Sequence, residues 1–266
     1  MSDLIIAGNN HASTENITLS SGDTTANKTA LLSDDRHEYW EFSGASTESI
    51  AFDLETNGPK VSFVAIVGAF DAAFDILANT TVTLEGNDID EWTAPELSEA
   101  MTVTDNGIFH KVASSVQNYR YWRVVFTDAS TNFAVDSRYA RLHNVYLGDY
   151  LSITRDVGIN FAKTQADPSS IYVSNVGKQF ANIRTAYANW GSLVLELIPA
   201  AERRSLEQFA FQKGSHSPFY ICLDSSVSVT EDIAELSRWV YFEGVPSFGH
   251  DFRDYFSMSF SLREVV

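Results

Sequence analysis

Hydrophobic and polar residues alternate along much of the first half of the chain. Ile50, Phe52 and Leu54 fall on one side of such an alternation and Ala51 and Asp53 on the other, which predicts a strand with one buried face. The turn Thr56-Asn57-Gly58-Pro59 follows, with an Asn-Gly pair and a proline that cannot donate to a ladder. Val61 to Gly68 is apolar at almost every position and predicts a central strand covered on both sides. Thr81 to Leu84 and Tyr119 to Phe126 predict further strands; in the second, Trp122, Val124 and Phe126 share one face and Tyr121, Arg123 and Val125 the other. Only Ala94 to Met101 predicts even a short helix, with Pro95 in its first turn. Strand after strand without crossover helices argues for an antiparallel sandwich.

That pattern closes near Leu147-Gly148-Asp149-Tyr150, so the chain divides into residues 1–150 and 151–266. In the second part, Ser170 to Ser174 and Gln179 to Arg184 flank Asn175-Val176-Gly177-Lys178 as a hairpin, and Leu193 to Ile198 is another strand. Pro199 then opens a helix to about Gln212, stopped by Gly214. At about 100° per residue, Leu206, Phe209 and Ala210 make one apolar stripe and Phe211 falls roughly 140° from Leu206. Either the helix ends by Ala210 and Phe211 turns inward, or Phe211 points out as a subunit-interface residue. Strands centred on Phe219 to Leu223, Arg238 to Phe242 and Phe256 to Leu262 complete the pattern. The expected fold is all-β: a jelly-roll β-sandwich over 1–150, then a β-barrel domain with one short helix over 151–266.

Composition reinforces this, since aromatics reach 13%, and flat rings suit pleated, half-buried surfaces. The 35 acidic and 18 basic side chains give a net charge of −17, a field that repels phosphate backbones and anionic headgroups, so neither nucleic acid nor membrane is an expected partner. The single Cys222 excludes an intrachain disulfide and lies in an apolar run, as a small buried hydrophobe would. No basic stretch followed by a long apolar one opens the chain, and no run reaches the roughly 18 apolar residues of a membrane helix. A soluble protein made in the cytoplasm is expected.

Dinucleotide-binding glycine patterns, phosphate-binding loops, serine nucleophile elbows and paired-histidine zinc motifs are all missing, and the six histidines lack ligand spacing. A non-enzyme without a cofactor is therefore expected. Ser33 to Glu38, the pair Asp71 and Asp75, and Asn87 to Glu91 are acidic loops that could supply oxygens to calcium, or simply form turns. Tyr39, Trp40 and Trp92 lie beside such loops, where rings could stack on sugar faces; equally, Tyr39-Trp40 could begin a strand and pack inward.

The order of features carries a resemblance. Leu31 to Trp40, the strand Ile50 to Leu54, Val61 to Gly68, Tyr121 to Asp128 and Ala140 to Gly148 together resemble a galactose-binding-like (discoidin-type) jelly roll, as found at the start of several phage minor tail proteins. The close on Tyr255 to Val265 looks like the last strand of a tail-tube-derived barrel, and distal tail proteins of long-tailed phages similarly carry one helix among such strands. The resemblance implies a structural component of a tail tip or baseplate: a homo-oligomeric ring, six copies by analogy, joining the tail tube to the baseplate hub. It also implies a place in the virion after synthesis in the host bacterial cytoplasm. A carbohydrate-binding module used in host adsorption, with Trp40 and Trp92 on sugar, is the alternative.

Overall fold

The structure, a computed structural model, describes residues 4–35, 37–55, 58–69, 80–101, 108–129, 133–135, 138–153, 162–167, 169–173, 178–182, 187–224 and 236–265. The described strands are, in chain order, β1 (Leu4–Asn10), β2 (Ile17–Leu19), β3 (Trp40–Glu41), β4 (Thr47–Asp53), β5 (Val61–Ala69), β6 (Thr80–Asn87), β7 (Leu97–Met101), β8 (Ile108–Gln117), β9 (Tyr121–Asp128), β10 (Ala134–Val135), β11 (Arg138–Tyr139), β12 (Arg141–Ile153), β13 (Ala162–Ala166), β14 (Ser170–Val173), β15 (Gln179–Asn182), β16 (Tyr187–Pro199), β17 (Phe219–Cys222), β18 (Ser237–Phe242), β19 (Ser247–Phe252) and β20 (Tyr255–Glu264). Two helices accompany them, α1 (Thr25–Ala30) and α2 (Ala200–Lys213). The protein is all-β.

Two compact units emerge: a larger one of residues 5–152 with 220–238, and a smaller one of 1–4, 153–219 and 239–266. In the larger unit one antiparallel sheet runs β2-β4-β9-β6-β7 and a second runs β17-β1-β12-β5-β8, with β3 on β12. The chain passes from one sheet to the other at most connections, the winding of a jelly roll. Period-two patterning aims Ile50 and Phe52 of β4, Val82 and Leu84 of β6, and Trp122, Val124 and Phe126 of β9 at Val64 and Ile66 of β5 and Val145 and Leu147 of β12. Trp40 closes this core, wholly buried, its ring 4.8 Å from Phe42 and its indole N–H donating to the Ser21 carbonyl at 3.0 Å. Gly148 is required by close backbone approach: a Cβ there would sit 1.9 Å from the Asn9 carbonyl oxygen.

Glu48 is a buried carboxylate on the inward face of β4. Burial alone would raise its pKa, but hydroxyls of Ser20, Ser43 and Ser21 and the Ser43 N–H all donate to it and hold it below the usual carboxylate range. The Val61–Gly68 run is buried at every position, as a strand covered on both faces requires.

The short helix of the first half is not where the pattern puts it. Leu97–Met101 is strand β7, paired with β6 through Gly86↔Leu97 to Val82↔Met101, and its buried ends Leu97 and Met101 flank exposed or half-buried Ser98, Glu99 and Ala100. Tertiary pairing overrides the local helix signal. The helix instead spans Thr25–Ala30, where the Thr24 side chain caps it by accepting from Asn27 N–H.

In the smaller unit the strands follow the order β13-β16-β20-β18, with β19 also paired to β20, and β14 and β15 form a separate hairpin. Helix α2 lies over β16 and β20, burying Leu206, Phe209 and Ala210, the stripe the 100° spacing predicts. The helix continues through Phe211, whose side chain is 90% exposed. Phe209, Phe219, Phe242 and Phe260 pack edge-on and tilted as the centre of this unit.

Candidate functional site

One concave site of about 310 Å³ lies at one end of the roll, between the β1–β2 connection and the end of β4. Its walls include His11, Ser13, Glu15, Asn16, Asp53 and Glu55. The first wall is a tight turn: Asn16 Oδ1 accepts from Ser13 N–H at 2.8 Å, Asn16 Nδ2 donates to the His11 carbonyl at 2.8 Å, and Ser13 carbonyl accepts from the N–H groups of Asn16 and Ile17. Asp53 N–H donates to the Asn16 carbonyl at 2.9 Å and so stitches this turn to β4.

Asp53 is fully committed. Arg120 grips it through Nε at 2.8 Å and Nη2 at 2.7 Å, and Glu55 N–H donates to Oδ1 at 2.9 Å. The Arg120 hydrogen bond is the main reason its carboxyl is held below the ordinary range, against a smaller opposing effect of burial. Arg120 in turn lies 4.7 Å over the Tyr121 ring. Glu55 adopts φ 65°, a left-handed conformation unusual for a residue with a Cβ, and Gly58 N–H donates to its carbonyl at 3.2 Å. What stays open in the cleft is the His11 imidazole, the Ser13 hydroxyl and the Glu15 and Glu55 carboxylates, which make no side-chain hydrogen bond to another described residue.

The aromatic candidates lie elsewhere. Trp40 is core, and a ring without an exposed face cannot stack on a sugar, so the structure removes it from the sugar-binding pair. Trp92, in the β6–β7 connection, is half-buried; its N–H donates to Asp90 at 2.9 Å, and Arg123 covers its ring at 4.4 Å. Glu85 holds that arginine through Nε at 2.8 Å and Nη2 at 2.6 Å. The same carboxylate–guanidinium–ring stack recurs as Glu41–Arg141–Tyr39, so Tyr39 and Trp92 are each already covered by a cation. Neither belongs to the cleft.

The acidic loops form turns. Asp35 accepts from the N–H and Nδ1 of His37, and Asn87 bridges Glu91 carbonyl and Asp88 N–H. Among the described residues no group of three or more metal-binding side chains converges; Asp71 and Asp75 lie outside them. No helix of the described residues is long and apolar enough to cross a membrane. The cleft residues went unnoticed in the sequence because they come from two separated loops; only the Thr56-Asn57-Gly58-Pro59 pattern just after Asp53 carries a local signal.

No protein-family model matches the chain, and no curated protein matches it. Among solved structures, similarity is found to a Streptococcus pneumoniae fucose binding module (TM-score 0.40, 15% identity, 54% of this chain and 99% of that one). It is also found to chitosan-binding module 1 from a chitosanase/glucanase of Paenibacillus sp. IK-5 (0.38, 17%, 53% and 100%). Module 2 of the same enzyme, solved with chitotriose, gives 0.37 and 17% over 53% of this chain and 100% of that one.

Proposed function

We propose that the larger unit is a carbohydrate-binding module and that the cleft beside Asp53 is where a glycan sits. One observation carries this reading: Asp53 and Asn16 are spent on building the walls, while His11, Ser13, Glu15 and Glu55 remain open around a space of about 310 Å³. Sugar hydroxyls both donate and accept. Carboxylates can accept hydrogen bonds from them, and the serine hydroxyl and imidazole can donate in return. The role is binding without catalysis, and the acidic surroundings favour uncharged glycans over acidic ones. Glycan-array screening followed by titration calorimetry tests it. Binding of a neutral glycan that Ser13→Ala and Glu55→Gln weaken, with the thermal midpoint unchanged, is the expected result; no binding across neutral glycans contradicts it.

A second reading, a structural component of a larger particle such as a phage tail tip, is favoured by one feature. The smaller unit displays Phe211, Val245 and Phe252 at 90%, 88% and 71% exposure. Electron microscopy of the purified chain at high concentration tests it through the presence or absence of closed assemblies.

A further inference from the structure

Among the described residues five arginines lie over aromatic rings, and four of them are pinned by a carboxylate. Arg120 over Tyr121 is held by Asp53, Arg123 over Trp92 by Glu85, Arg141 over Tyr39 by Glu41 and Arg203 over Phe256 by Glu207, each at 2.6–2.7 Å. In all four the guanidinium carbon is 4.1–4.7 Å from the ring centre. Arg263 departs from this pattern. It lies between two rings, 5.9 Å from Tyr187 and 5.6 Å from Tyr241, and among the described residues no carboxylate is within ion-pair distance of it.

The sheet of the smaller unit sets this up. Thr164↔Asn189, Asn189↔Arg263 and Tyr241↔Arg263 are paired positions, so one row crosses β13, β16, β20 and β18. The neighbouring row of Trp190, Leu262 and Phe242 is buried, which turns the Arg263 row to the opposite, outer face. Arg263 and Thr164 are exposed, Asn189 and Tyr241 half-buried, and half-buried Tyr187, two places along β16 from Asn189, shares their face. Glu243, two places along β18 from Tyr241, accepts from Asn189 Nδ2 at 3.0 Å rather than pairing with Arg263. Thr164 and Tyr187 also line a cavity of about 340 Å³ with Lys163, Gln165 and Glu264, and the Glu264 carboxylate accepts the Ala188 N–H at 3.0 Å. The row therefore borders a concave space of the size that small ligands occupy.

A guanidinium flanked by rings presents a fork of donors to a planar acceptor, and a carboxylate is what the other four arginines hold. The rest of the row selects the molecule that brings it. Tyrosine, asparagine and threonine side chains offer ring faces, donors and acceptors to a sugar, whereas the row has no aliphatic side chain to form the apolar centre of a protein contact. Charge agrees: the smaller unit has 9 basic and 10 acidic side chains, net −1, and the larger 9 and 25, net −16, so an anion meets little repulsion here.

We infer that the Arg263 row binds a carboxylate-bearing sugar of the uronic or sialic acid class, with Arg263 gripping the carboxylate and the tyrosines taking the ring. This is a second site, of opposite charge preference to the cleft beside Asp53, and it does not rest on that cleft.

Titration calorimetry of the full chain against uronic and sialic acid oligosaccharides, each paired with its methyl ester, tests the inference. The expected result is binding of an acidic oligosaccharide that weakens as salt rises, is lost on methyl esterification, and falls about tenfold or more in Arg263→Met with the thermal midpoint unchanged. Arg263→Lys keeps the charge without the fork and should recover only part of the loss. The Ser13→Ala/Glu55→Gln variant should bind the acidic sugar as the wild type does, so a failure of the cleft leaves this site standing. A wild type that binds no acidic oligosaccharide overturns the inference, as does binding that survives Arg263→Met. Polyglutamate bound as tightly as the acidic sugar overturns it too, because the carboxylate alone would then suffice.

Discussion

The two units spend their aromatic residues in opposite ways. Among the described rings of the roll, Trp40, Phe42 and Trp122 are buried, and Tyr39 and Trp92 are covered by a carboxylate-pinned arginine. The roll's described surface carries most of the chain's charge and the polar cleft beside Asp53, with Ile89 and Val116 the large aliphatic side chains left exposed. In the smaller unit, rings also fill the core, but Phe211 and Phe252 stand in solvent on a body of almost no net charge. On the proposed glycan-binding and assembly readings the difference is a division of labour: the charged roll takes a polar ligand, and the near-neutral unit with apolar projections takes a protein partner.

The strongest break in that comparison is at Trp40. Trp40→Ala empties the centre of the roll and should cost about 3–5 kcal/mol, measured by chemical denaturation. A loss below about 1 kcal/mol would mean that the ring is not core. Gly148→Ala forces a methyl against the Asn9 carbonyl, where only backbone movement can relieve it, and should cost about 3 kcal/mol.

Next in size is a pH effect confined to the roll. His110 on β8 accepts the Tyr220 hydroxyl at 2.7 Å beside the Phe63 ring, and burial lowers its pKa from 6.5 to about 4. The unfolded chain thus binds a proton that the folded chain refuses between those values. Stability is fully present above pH 6.5 and is lost as pH falls toward 4, by about 2–3 kcal/mol from this group. Urea midpoints across that window should fall in the wild type and stay flatter in His110→Gln; equal slopes would contradict this assignment.

Much of this was legible in the sequence, for physical reasons. Strand alternation at Ile50–Leu54 and Tyr121–Phe126 survives because each strand has one dry face, and the Leu206–Phe209–Ala210 stripe survives because α2 has one too. Leu97–Met101 misled because proline and alanine nearby mimic a helix start, while the pairing partner Val82–Gly86 lies outside any local window. Residues 220–238 join the roll by pairing Ile221 and Cys222 with Ile6 and Ile5, a contact no local pattern announces. The cleft escaped for the same reason, being assembled from loops about 40 residues apart, at His11–Asn16 and Asp53–Glu55.

Smaller effects sharpen the contrast. Arg123→Met should cost about 1 kcal/mol by uncovering Trp92 and leaving Glu85 without its cation, read as a modest fall in thermal midpoint and a change in tryptophan fluorescence. Phe211→Ser should change stability by less than about 0.5 kcal/mol, because the side chain touches little within its own chain. A fall of several kcal/mol would instead show that Phe211 packs inward.

The most direct test of the central claim is calorimetric titration of neutral oligosaccharides into the wild type and into Ser13→Ala/Glu55→Gln, at matched thermal stability. Saturable binding by the wild type that is lost in the double variant, and kept in Trp92→Ala, is the result expected of a glycan site in the Asp53 cleft. Binding that survives the cleft variant and disappears with Trp92→Ala would place the sugar on the roll's outer sheet face and contradict it.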